Sequence, residues 1–170
     1  MFKKITAITL LLCTLLTLAG CDKKAKIMEG YGDYVAEVGK MTLVTDKLIE
    51  ETEEGKGTAM SCTIFAEKDG EFKKIVTING ISTGFPLKYE EKVGFWYATP
   101  DLIQNLVYYD GAGVLEAAEF VTSEPDEKGE LIYKYYDRTG ASQEADEAKF
   151  DELLEKYNNA EAIIFTKKDK

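Results

Sequence analysis

The sequence predicts an α+β fold: mostly an antiparallel β meander, as a sheet or a partly open barrel, with one C-terminal helix packed on the sheet. Three observations predict it. From Thr58 onward, apolar residues recur at every second position in runs divided by turn-forming residues, the spacing of half-buried strands. One stretch near the C-terminus instead carries its apolar residues at helical spacing. The connections are short, and short connections pair consecutive strands antiparallel. About 150 residues follow the apolar N-terminal run, enough for one domain with a core and too few for two.

Taken in order, residues 1–20 read as a leader, 21–33 as a tether and 34–170 as a single globular β-rich domain. Lys23, Lys24, Lys26, Gly30 and Gly32 give the tether its polar, flexible character. Over 34–54 two patterns compete. Val38, Met41, Val44 and Leu48 fall at helical spacing, Met41, Leu43 and Thr45 alternate, and Gly39 weakens both; the balance favours strand. Residues 50–57 form a Glu-rich loop. Residues 59–66 and 72–79 then pair as a hairpin through Lys68-Asp69-Gly70, because Asp and Gly accept the positive φ of a tight turn.

Further strands are expected over 93–98, 103–109, 114–121 and 131–136. Pro100, Asp110-Gly111 and Ser123-Glu124-Pro125-Asp126 divide them. The helix follows, with Ser142 as its cap and Glu144, Asp146 and Glu147 loading its first turns with negative charge. Phe150, Leu153, Leu154 and Tyr157 form its apolar stripe, Glu152 and Lys156 an i,i+4 pair. Asn158-Asn159 ends it, and 162–165 returns as one short strand before the charged tail.

The N-terminus carries the most specific signal. Lys3 and Lys4 precede an uncharged run of Ile, Leu, Ala and Thr from Ile5 to Leu18, too short for a permanent membrane span but suited to a signal peptide. The run ends at Leu18-Ala19-Gly20-Cys21, which resembles the lipobox of bacterial lipoproteins: an aliphatic residue, a small residue, Gly or Ala, then Cys. That resemblance implies cleavage between Gly20 and Cys21 and a diacylglyceryl group on the Cys21 sulfur. Two acyl chains anchor a protein stably where one does not, so the chain is expected on the outer face of the cell membrane.

Composition narrows what such a domain can do. The chain has net charge −10, which becomes −12 once Lys3 and Lys4 leave with the leader. A nucleic-acid partner is therefore not expected, since counterion release needs a basic stripe. The chain contains no histidine, which removes Ser-His-Asp and Cys-His catalysis and His-ligated zinc. Cys13 leaves with the leader and Cys21 takes the lipid, so Cys62 is the only thiol left in the domain. It alternates with Met60, Ile64 and Ala66 on one strand face, which reads as core packing. No metal and no cofactor are expected. Carboxylates are abundant, but neither Asp101 with Asp110 nor Glu116 with Glu119 has a spacing that marks an acid/base pair.

Aromatic residues suggest one concrete ligand. Phe95, Trp96 and Tyr97, with Tyr108, Tyr109, Tyr133, Tyr135 and Tyr136, can form a stacking platform for sugars or peptides, with Trp96 and Tyr97 as the candidate contacts; strands also favour aromatics simply as core. Of the adjacent Tyr135 and Tyr136, one is expected inside and one outside. Residues 133–140 (Tyr-Lys-Tyr-Tyr-Asp-Arg-Thr-Gly), 150–157 and 162–166 together resemble the ending of a group of uncharacterised lipoproteins from clostridia and related bacteria, as does the strand-Asp-Gly-strand unit at 63–75. The resemblance implies no active site. The leading expectation is a membrane-anchored extracytoplasmic lipoprotein with a non-catalytic domain that binds a protein, peptide or envelope component. A glycan-binding module and a hydrolase working with carboxylates alone are the alternatives.

Overall fold

The computed structural model describes residues 23–49, 51–80, 84–109 and 112–168. The leader, Gly20 and Cys21 lie outside the described residues, as does Asp110. The chain divides into two units at Tyr31/Gly32. In the first, residues 23–27 are helical and a turn follows at 28–30. The second carries the fold.

Among the described residues of the second unit there are thirteen strands and one helix. β1 (Tyr34–Val38) and β2 (Met41–Thr45) form a hairpin across Gly39-Lys40, so the ambiguous segment is strand. β3 is Lys56–Gly57. β4 (Cys62–Lys68) and β5 (Glu71–Ile78) form the expected hairpin. Asp69 and Gly70 sit at φ +58° and +75°, the two positive values that a type I′ turn needs. β6 (Lys88–Glu90), β7 (Gly94–Thr99), β8 (Leu102–Tyr109), β9 (Val114–Pro125), β10 (Leu131–Asp137) and β11 (Ser142–Ala145) run as a continuous antiparallel meander. After α1 (Glu147–Asn159) come β12 (Glu161–Ala162) and β13 (Phe165–Lys167).

The strands form two antiparallel sheets, and these do not close into a barrel. The first is six-stranded in the order β3-β13-β1-β2-β4-β5, the second seven-stranded in the order β11-β10-β9-β8-β7-β6-β12. Alternation along β7 shows how they are layered. Phe95 and Tyr97 join Leu43, Ile64 and Phe165 between the sheets, whereas Trp96 and Ala98 point the other way, into a second apolar layer with Leu153 and Tyr157 of the helix. The seven-stranded sheet is thus the middle layer of three.

Three expectations need correction. Ser142 does not cap the helix, because it pairs with Tyr136 as the first residue of β11. The cap is Asp146, whose Oδ1 accepts the Lys149 N–H at 3.0 Å. Segment 123–126 does not end a strand: β9 continues to Pro125, paired with Leu131 across a turn that Asp126 caps. The single strand expected at 162–165 is two strands in different sheets, β12 pairing with β6 and β13 with β1. β6 itself has no counterpart in the sequence reading.

The helix packs as its stripe predicts. Leu153 and Tyr157 are buried, and Phe150 and Leu154 flank them. Tyr157 Oη donates to the Pro86 carbonyl at 2.7 Å, and Lys88 Nζ, 4.6 Å from the centre of the Tyr157 ring, donates to the Asn158 carbonyl. An ammonium group thus meets the negative end of the helix. Lys156 bridges Glu152 and Glu119, both at 3.0 Å, tying the helix surface to β9.

Candidate functional site

Three hollows meet at Tyr89 and Gly39, at the end of the sandwich where two hairpin turns and the C-terminal end of the helix converge. Their volumes are about 290, 270 and 550 Å³. Tyr89 is the central residue of β6, paired with Phe95 on one side and Glu161 on the other. Its ring tilts onto that of Phe95 with centroids 5.2 Å apart, so the inter-sheet core fixes it. Its hydroxyl makes no hydrogen bond among the described residues. Gly39, at φ +58°, lies against it: a Cβ built there would stand 3.8 Å from the Tyr89 oxygen.

Each hollow has its own chemistry. The first has an apolar floor of Met41, Phe95 and Val107, with Lys40 and Lys92 from the two turns at its rim. Lys92 holds φ +72°, a left-handed conformation uncommon for a residue with a side chain, and forms no ion pair among the described residues. Beside it Gly94 (φ +116°) lets β7 approach β8 so closely that a Cβ would fall 2.3 Å from the Leu106 carbonyl oxygen. The second hollow lies between β1 (36–38) and the crossover 161–164. The third is rimmed by Glu90, Glu91 and Glu161. Tyr89 therefore separates a lysine-bearing hollow from a glutamate-bearing one.

The second hollow also exposes main chain. Val38 and Met41 close a two-residue turn, so Val38, Ala36 and Tyr34 direct their N–H and C=O groups to β2. Val35 and Glu37 direct theirs the other way. β13 meets β1 only at Tyr34 and Val35 before the chain leaves for β12. The Glu37 N–H and C=O face the hollow without a main-chain partner among the described residues.

No known protein family, curated protein or solved structure matches this chain. The site is therefore defined by its own geometry.

Trp96, expected as a ligand contact, is 1% exposed and faces the helix, so it cannot stack on a sugar. Alternation along β7 decides this: with Phe95 turned to the inter-sheet layer, Trp96 must enter the helix layer. Its Nε1 is the one buried side-chain polar atom without a hydrogen-bond partner among the described residues. Tyr97 is half-buried; its hydroxyl donates to the Asn79 carbonyl at 3.2 Å, and burial, with Asp101 nearby, raises its pKa. Cys62 lies in the inter-sheet core at 3% exposure, and burial pushes its thiol up to about 12. Among the described residues no group of three His, Cys, Asp or Glu could hold a metal ion.

A different aromatic pair is accessible. Tyr135 turns toward the helix layer while Tyr136 stacks on Phe120, centroids 4.2 Å apart and planes within 7°. Register aligns Gln104, Phe120, Tyr136 and Ser142 in one row across β8 to β11. That row shares the sheet face that carries Tyr97, but Phe120 and Tyr136 are not part of the inter-sheet core.

Proposed function

We propose that this protein is a membrane-anchored extracytoplasmic lipoprotein whose domain binds a protein, peptide or envelope component and does not transform it. Cys21 supplies the anchor through the lipobox resemblance. The observation that carries the binding reading is the cleft at Tyr89, which joins an apolar floor, an unengaged phenol, separated charges of both signs and unpaired main chain. These are the means of recognition. The chemistry of turnover has less support: the sequence has no histidine to activate a nucleophile, and the one described thiol is buried, its pKa pushed up to about 12.

Metabolic labelling with a palmitate analogue tests the anchor. The full chain should incorporate label and the Cys21→Ala variant should not; equal labelling of both would refute the lipoprotein reading. A second reading, a glycan-binding module, is favoured by the Phe120–Tyr136 stack in place of Trp96. On a glycan array, any hit that depends on this face should be lost in Phe120→Ala, and an array with no hits would remove the reading.

A further inference from the structure

We infer that the Tyr89 cleft holds an extended peptide segment, with an acidic group at the lysine hollow and a basic group at the glutamate hollow. This rests on the binding role proposed above and names the class of partner. Three features that are separate in the sequence point to the same occupant. The Glu37 N–H and C=O are a vacant place in a strand ladder, and an extended peptide fills such a place with its own main chain. Side chains of an extended segment point alternately to either side, so one set would meet the half-buried Tyr89 and Val107 that line the first hollow. The charges lie at opposite sides of Tyr89: Lys92 and Lys40 line one hollow, Glu90, Glu91 and Glu161 another. A sugar has no use for that polarity, and a purely anionic ligand would meet three carboxylates.

The left-handed backbone at Lys92 supports the assignment. A glycine there would relieve the conformation, whereas lysine keeps an ammonium group beside the hollow at a conformational cost. The Tyr89 hydroxyl, fixed by ring packing, is placed to bond a peptide carbonyl or side chain.

Fluorescence anisotropy with the full chain in detergent tests this, using labelled, end-blocked hexapeptides. The probes are Lys-Val-Thr-Val-Thr-Glu, its reversed sequence and a neutral control with Gln at both ends. One of the two charged orders should bind at least tenfold more tightly than the control. Lys92→Gly, which suits the local backbone and should fold, should cut that preference about tenfold; Lys92→Glu should transfer it to a peptide with Lys at both ends. Tyr89→Phe should weaken binding several-fold without altering the order preference. Equal binding of all probes within twofold, or an unchanged preference in Lys92→Gly, would overturn the inference. Flat peptide binding with intact Cys21-dependent labelling removes the peptide site and leaves the anchored-binding reading in place, whereas loss of labelling strikes that reading alone.

Discussion

Cys62 shows how a single buried residue sets a pH response. Its thiol is raised from 9.0 to about 12 by desolvation, because a thiolate between the sheets would have no compensating partner. The folded state therefore favours the neutral form. The stability this contributes is fully present below the unfolded pKa of 9.0 and is lost as pH rises from 9 toward 12. Tyr157, raised from 10.0 to about 12 by burial, acts in the same direction from pH 10 upward. The urea midpoint should thus hold steady from pH 7 to 8.5 and fall between pH 9 and 10.5, with a later onset in Cys62→Ala. At pH 8 the Cys62 thiol should resist a disulfide reagent until the protein is unfolded; immediate reaction in the native state would contradict its burial.

At the scale of elements, the helix start gives a direct test. Asp146 accepts the Lys149 N–H, so Asp146→Ala should cost about 1 kcal/mol by urea denaturation, while the exposed strand residue Ser142→Ala should be nearly neutral. The reverse ranking would restore Ser142 as the cap. Both residues suit a cap by type, and the sequence could not separate them because β11 pairs with β10 through main chain, which leaves little trace in side-chain pattern. The β4–β5 hairpin was legible since Asp69-Gly70 carries its own conformational preference. β6 was not: three residues with one central aromatic have no period, and their strand character comes from Phe95 and Glu161 on either side. Tyr89 therefore escaped notice, as did the gap beside Glu37, which exists only because β12 and β13 belong to different sheets. The aromatic cluster was visible as composition, but which ring turns outward depends on register, and so Trp96 went inward while Phe120 and Tyr136 stayed accessible.

For the molecule as a whole, the seven-stranded sheet is shared by both apolar layers, so neither should survive without the other. Trp96 is the only tryptophan in the sequence and sits in the helix layer, while far-ultraviolet circular dichroism reports both sheets. The two signals should follow one coincident urea transition; a tryptophan transition well ahead of the loss of β-structure would show that the helix layer unfolds separately. The edge of the six-stranded sheet also has a recognisable design. β5 carries Lys73 and Lys74 and a register irregularity opposite Ile64/Phe65, devices that discourage edge-to-edge association. This 8-residue edge strand is in this way defended, whereas the short vacancy at Glu37 is not.

The crossover that creates this vacancy also sets the timing of folding. β1 cannot complete its pairing until residues 165–167 exist, and Lys168, whose Nζ bonds the Gly32 carbonyl at a separation of 136 residues, fastens the two ends of the domain together. Contacts so distant in the chain form late and slowly. A polypeptide whose first strand waits for its last cannot complete its six-stranded sheet until nearly the whole chain has been made.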